Sequence, residues 1–239
     1  MLKKAIKFLF NKTLLRIIKY VNYHLSDSNS QSPKSLTFRL KEKAISESLD
    51  FIENHLGEVL IFPYRQQLYD YLILKLKNKK GLFLEFGVFK GESINYFSKS
   101  LKSQSFFGFD SFVGLKEDWK GTKSPKGRFD LSGKIPKVNS NVTLIPGWFD
   151  EVLPNFLSEH KDQIDFLHID SDTYESAVIV LEALADRIKS NSIILFDEFQ
   201  GYPNWKNGEF KAWNDFVNKN QIKYKYLAFS NEQCAIIIL

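Results

Sequence analysis

The feature that most constrains this chain is a repeating local pattern in which short apolar runs alternate with amphipathic segments. Several of the runs end on an acid. Leu82 to Phe86 carries Glu85 and closes on a glycine turn, Ser105 to Phe109 ends in Asp110, Ile164 to Ile169 ends in Asp170, and Ser192 to Phe196 ends in Asp197. Val142 to Ile145 is a further run. Short apolar runs bounded by turns fit strands buried on both faces, whereas longer stretches with apolar residues every three or four positions fit helices. Glu92 to Leu101, Tyr174 to Ile188 and Glu209 to Val217 have that helical spacing. Strands alternating with helices pack as a mostly parallel sheet covered on both faces. The last two runs, Lys223 to Phe229 and Gln233 to Leu239, are separated only by a turn around Ser230-Asn231. That leaves no room for a crossover, so they pair antiparallel. The predicted fold is α/β: a Rossmann-like, doubly wound, mostly parallel seven-stranded sheet with an antiparallel C-terminal strand pair, plus N-terminal helices.

The 239 residues suffice for one such domain and an extension. Residues 1–24 carry Lys3, Lys4, Lys7, Lys12, Arg16 and Lys19 and no acid, with apolar residues at helical spacing. This basic amphipathic helix fits either an interfacial membrane helix or a helix packed on its own domain or a partner subunit. Residues 25–36, rich in Ser, read as a linker. Residues 37–80 form an N-terminal helical region, with helices from 38 to 57 and from Arg65 to Leu76, and residues 81–239 form the main domain. Without the six bases of residues 1–24, 27 basic residues face 28 acidic ones, so no nucleic-acid footprint is expected. The single cysteine, Cys234, excludes an internal disulfide and a multi-cysteine zinc site and suits a cytoplasmic setting, peripheral to the membrane if residues 1–24 bind it.

Open α/β sheets bind ligands beyond the carboxyl ends of their strands, where these acids fall. In Glu85-Phe86-Gly87-Val88-Phe89-Lys90-Gly91, Gly87 permits close approach of a ligand to the backbone and Gly91 a tight turn into the helix. Asp110, at the end of the next strand, is placed to accept hydrogen bonds from the ribose hydroxyls of a nucleoside. Without a G-x-G-x-x-G pattern the site suits an adenosyl group that lacks pyrophosphate. Asp170, Asp197 and Glu198 are candidate ligands for a hard divalent cation such as Mg²⁺. Bound there, a cation lowers the pKa of a substrate hydroxyl and orients it. His168, two residues before Asp170, faces the same side of its strand and is a candidate base. Lys116 to Asn141 is a long Lys-, Gly- and Pro-containing segment of the kind that forms lids.

Five stretches taken in order carry a family resemblance: Leu84-Glu85-Phe86-Gly87-Val88 with Gly91 and Ser93; Gly108-Phe109-Asp110-Ser111-Phe112-Val113-Gly114-Leu115; Pro146-Gly147-Trp148-Phe149; His168-Ile169-Asp170-Ser171-Asp172-Thr173-Tyr174; and Phe196-Asp197-Glu198-Phe199 through Tyr202-Pro203 to Gly208-Glu209. Over roughly residues 60–239 the chain resembles the macrocin O-methyltransferase family, class I methyltransferases that modify sugar hydroxyls of macrolides and related products. The resemblance implies S-adenosylmethionine at Glu85, Gly87, Asp110 and Ser111, with Gly91 and Ser93 in the same stretch, and an adenine pocket at Gly147 and Trp148. It implies Mg²⁺ at Asp170, Asp197 and Glu198, and it places Glu209 near the acceptor. The expected catalytic set is therefore His168, Asp170 and Glu209. The expected partners are a small-molecule or glycan acceptor, no nucleic acid, and a second copy of the chain in a homo-oligomer. Two other readings stand beside it. Asp170-Ser171-Asp172 fits the D-x-D motif of a metal-dependent glycosyltransferase, and a non-catalytic membrane-associated protein could keep the same fold.

Overall fold

A computed structural model describes residues 35–239. Internal contacts group the chain into residues 1–43 and 44–239. In the first unit the described residues form the opening turns of helix α1, Leu36–Glu53, where Ser35 Oγ accepts from the Phe38 amide at 3.1 Å. The segment 1–24 and most of the linker lie outside the described residues. Among the described residues no helix is long and apolar enough to cross a membrane.

The second unit follows the predicted alternation. The sequence Leu60–Ile61 (β1), Arg65–Leu76 (α2), Leu82–Phe86 (β2), Glu92–Ser100 (α3), Phe106–Asp110 (β3) and Val142–Pro146 (β4) makes up its first half. Phe149–Glu159 (α4), Ile164–Ile169 (β5), Tyr174–Leu184 (α5), Ile188–Phe196 (β6), Glu209–Asn220 (α6), Tyr224–Phe229 (β7) and Cys234–Ile238 (β8) complete it. The sheet order is β1-β7-β8-β6-β5-β2-β3-β4. Strand β8 runs antiparallel to both β6 and β7, and the other pairs are parallel. All seven predicted strands are present. The eighth, the two-residue β1, adds an exposed edge beside β7 that is too short to show periodicity. Helix α4 has no counterpart in the predicted elements, because Pro154 within it breaks the sequence signature of a helix. Strand β6 begins four residues before the predicted run, at Ile188, which the sequence pattern makes the last residue of the preceding helix.

Strand order reverses between β2 and β5, the place where doubly wound sheets open a crevice. Both faces are packed with aromatic and branched side chains. Phe86 and Phe109 stack at 4.5 Å between centroids, and Phe149 of α4 meets Phe86 edge-on at 5.2 Å. On the opposite face Phe83, Phe97, Phe106 and Phe166 form a second fully buried group. These layers fix the level at which the strands end, and so the position of every strand-end acid.

Phe86→Ala should cost about 3–5 kcal/mol, as expected for removing a fully buried aromatic ring. Urea denaturation should show a lower midpoint with an unchanged slope.

Candidate active site

Backbone hydrogen bonds bring the strand ends into a row. The amide of Gly87 donates to the Phe109 carbonyl at 2.9 Å, that of Asp170 to Phe86 at 2.9 Å, that of Asp197 to Ile169 at 2.9 Å, and that of Gly147 to Asp110 at 3.0 Å. The first residues beyond β2, β5 and β6 therefore stand side by side. A cavity of about 300 Å³ opens above them, within the range of small-molecule sites. Of the predicted residues, Gly87, Ser93, Asp110, Ser111, Trp148, Asp170, Asp197 and Glu198 line it. Glu85, Gly91, Gly147, His168 and Glu209 do not line it.

On the β2–β4 side, Gly87 has a φ of +91°, and a Cβ there would lie 1.7 Å from the Asp170 carbonyl oxygen. Only glycine allows the turn and the close strand contact together. Asp110 braces this turn. Its Oδ2 accepts from the Val88 amide at 2.9 Å and the Phe89 amide at 2.7 Å, while Oδ1 accepts from Phe112 at 2.7 Å. With two amides Oδ2 is filled, and Oδ1 keeps one acceptor position. Trp148 precedes α4, and its indole has Lys116 above it at 5.4 Å, with Lys116 paired to Asp150 at 3.1 Å. The expected lid segment contributes Lys116, Trp119 and Phe129 to the cavity lining. It is fastened where Thr173 donates to Glu117 at 2.7 Å and where Trp119 meets Tyr202 at 5.5 Å.

On the β5–β6 side, carboxylates crowd. Ligand oxygens of Asp170, Asp172 and Glu198 lie within 4.8 Å of one another, and His168, Asp170 and Asp197 form a second such group. Burial, reinforced by neighbouring acids, pushes the carboxyls of Asp170, Asp172 and Glu198 well above the usual range. Glu198 Oε2 is buried with no hydrogen-bond partner. Asp172 holds a φ of +64°, a left-handed conformation that Asp tolerates better than most residues. Asp197 differs in its surroundings. It accepts from Tyr69 at 3.1 Å, faces His168 Nε2 at 3.7 Å, and has Arg65 at 3.9 Å. Burial raises its carboxyl, but His168, Arg65 and Tyr69 outweigh that and hold it below the ordinary value.

The geometry adds neighbours to several of the predicted residues. Asp172 joins Asp170 and Glu198 in one group of possible cation ligands, Asp170 and Asp197 belong to a second with His168, and Asp197 also meets Tyr69 and Arg65. His168 is fully buried and does not line the cavity. Its Nδ1 meets Glu85 Oε2 at 3.0 Å and its Nε2 lies 3.7 Å from Asp197, and although burial opposes its charge, Asp197 and Glu85 raise its pKa to about 10. Glu85 lies beneath the cavity and accepts from Ser93 at 2.8 Å, so it braces the glycine turn from below. Glu209 is also fully buried. It accepts from the Ser171 amide at 3.0 Å and the Glu198 amide at 3.3 Å, and burial lifts its carboxyl to about 7. It ties the two acid-bearing loops together. Arg65 and Tyr69, one turn apart on α2, were not identified from sequence. Their signal is weak, since Arg65 and Tyr69 sit among Gln66, Gln67 and Asp70 in the polar opening turns of the helix.

Residues 84–199 match the family model described as a methyltransferase domain. Sequence comparison with curated proteins gives no match. Among solved structures, the calicheamicin methyltransferase CalS11 is 22% identical over 86% of this chain and 93% of that chain, with a TM-score of 0.60. The O-methyltransferase NovP is 17% identical over 72% and 78%, with a TM-score of 0.57. An apo structure of CalS11, described as a TDP-rhamnose 3'-O-methyltransferase, gives 23% identity over 86% and 95%, with a TM-score of 0.54. Residues 84–199 thus match a methyltransferase domain, and the fold is shared with these solved methyltransferases.

Glu209→Ala leaves the Ser171 and Glu198 amides buried without an acceptor and should cost about 2–4 kcal/mol. Glu209→Gln keeps one acceptor oxygen and should cost clearly less, as measured by urea denaturation of the two variants.

Proposed function

We propose that the chain is an S-adenosylmethionine-dependent O-methyltransferase that acts on a sugar hydroxyl with the help of a divalent cation such as Mg²⁺. One observation carries this reading. A single cavity joins a glycine turn, Asp110 and Trp148 on one side to a cluster of buried, incompletely partnered carboxylates on the other. The first side suits an adenosyl group, and the second suits a hard cation and an acceptor hydroxyl.

The residues divide the work as follows. Gly87 lets the donor approach the backbone, the free acceptor position on Asp110 Oδ1 meets a ribose hydroxyl, and the Trp148 ring covers the adenine. Asp170, Asp172 and Glu198 fit a cation by their chemistry: three oxygen ligands in mutual reach, one of them with an orphaned oxygen, whose crowding is relieved by positive charge. Bound there, a divalent cation would acidify and orient the acceptor hydroxyl. Bound S-adenosylmethionine would present an electrophilic methyl group to that oxygen. The protein holds donor and acceptor in line and excludes water with Trp119 and Phe129 of the covering segment. A carboxylate of the cluster that the cation leaves uncoordinated would take the hydroxyl proton. The sugar class rests on the resemblance to sugar-modifying enzymes and on the fold shared with CalS11, described as a TDP-rhamnose 3'-O-methyltransferase.

Labelled methyl transfer from S-adenosylmethionine into an extract of the source cell should appear, and EDTA should remove it. UDP binding without binding of S-adenosylhomocysteine would instead support a glycosyltransferase that uses Asp170-Ser171-Asp172. Asp172→Asn and Glu198→Gln should weaken Mn²⁺ binding about 10–100-fold or more while leaving S-adenosylhomocysteine affinity nearly unchanged. Asp197→Asn should weaken Mn²⁺ binding less than either and mainly lower stability, as read by calorimetry and denaturation. The opposite ranking would restore Asp197 as the third ligand.

A further inference from the structure

Arg65 is a cavity-lining cation that the mechanism above does not use. It opens α2, outside the segment that matches the methyltransferase domain. Its guanidinium approaches Asp197 at 3.9 Å and Glu92 at 3.7 Å, both beyond hydrogen-bond distance, and it makes no hydrogen bond. All of its N–H donors therefore remain available. Asp197 does not depend on it for a partner, because the buried hydroxyl of Tyr69, one turn further along α2, already donates to Asp197 Oδ1 at 3.1 Å. The base of the arginine is firmly set. Leu68, Tyr69, Leu72, Ile73 and Leu76 of the same helix are buried against the sheet. The side chain is 42% exposed, so charge and donors face a water-filled cavity from a rigid support. A planar fork of donors held in this way matches a carboxylate or a phosphoryl group, which accept two parallel N–H bonds.

We propose that Arg65 is the anion receptor of this cavity and binds an oxyanion group of a molecule that occupies it. Resting on the methyltransferase reading, two sources supply such a group: the amino-acid carboxylate of the donor, or a phosphoryl or carboxylate group on the acceptor. Arg65 stands beside Asp197 on the acid-lined half of the cavity, the half that the proposed function gives to the acceptor.

Calorimetry on the full chain separates the sources, with wild type, Arg65→Gln and Arg65→Lys each titrated with three probes. These are S-adenosylhomocysteine, 5'-methylthioadenosine, which keeps the adenosine and thioether but has no amino-acid portion, and inorganic pyrophosphate added to protein saturated with S-adenosylhomocysteine. If the donor supplies the anion, Arg65→Gln weakens S-adenosylhomocysteine at least about tenfold and leaves 5'-methylthioadenosine unchanged, with part of the loss restored by Arg65→Lys. If the acceptor supplies it, both adenosine compounds bind as before and pyrophosphate binding falls by a similar factor. The proposal is overturned if Arg65→Gln changes none of the three, or if both adenosine compounds weaken together, which marks a structural role. A wild-type chain that binds neither adenosine compound overturns the methyltransferase reading instead. Pyrophosphate binding to the unliganded chain then decides Arg65 alone: loss in Arg65→Gln supports the receptor, and no change overturns it.

Discussion

The rest of the structure depends on holding several carboxylates close together away from water at one edge of a sheet. An isolated buried carboxylate is strongly disfavoured, and neighbouring ones repel. The fold meets this by giving each acid a separate arrangement. Glu85 takes His168 and Ser93, Glu209 takes two backbone amides, and Asp197 takes Tyr69 with Arg65 and His168 nearby. Asp170, Asp172 and Glu198 are left with their carboxyls raised by burial and by one another. The elements that bring partners to the first group are therefore as much a part of the site as the loops that bear the second. Helix α2, which precedes the matched domain segment, supplies two of those partners.

That division gives the buried His168 and the buried Glu85 and Glu209 a common purpose. Glu85 and His168 pair in register on adjacent strands β2 and β5, and Asp197, just past the end of β6, faces His168 Nε2 at 3.7 Å, so the three form a polar seam. Residues in register on parallel strands point to the same face, so the seam follows from strand alignment and needs no special loop. Glu209 works from the opposite direction, joining the loop after β5 to the loop after β6. Glu85, His168 and Glu209 act on positions in the cavity without lining it.

Much of the fold was legible in the sequence because burial on both faces writes parallel strands as unbroken apolar runs. The seven main strands and the antiparallel closing pair follow from that alone. What escaped had little pattern to show: a two-residue edge strand, and a helix interrupted by Pro154. The site was legible at the level of the strand ends, since an acid that follows an apolar run must lie at the sheet edge. Which acid faces which was not legible. Asp172 reaches the cluster through a left-handed turn, and Asp197 is drawn aside by residues more than a hundred positions earlier in the chain. Neither turn conformation nor long-range pairing is written in local spacing. For the same reason the place of His168, buried between Glu85 and Asp197, does not show in the sequence.

The central claim is that one cavity holds an adenosyl donor against a cation bound by the strand-end carboxylates. The most direct measurement is a crystal structure of the full chain with S-adenosylhomocysteine and Mn²⁺, using the anomalous signal to locate the ion. The account predicts the adenosyl group between Asp110 and Trp148, and the manganese peak among Asp170, Asp172 and Glu198 on the side reached by the sulfur. An empty cavity at saturating ligand, or manganese bound only away from these carboxylates, would contradict it.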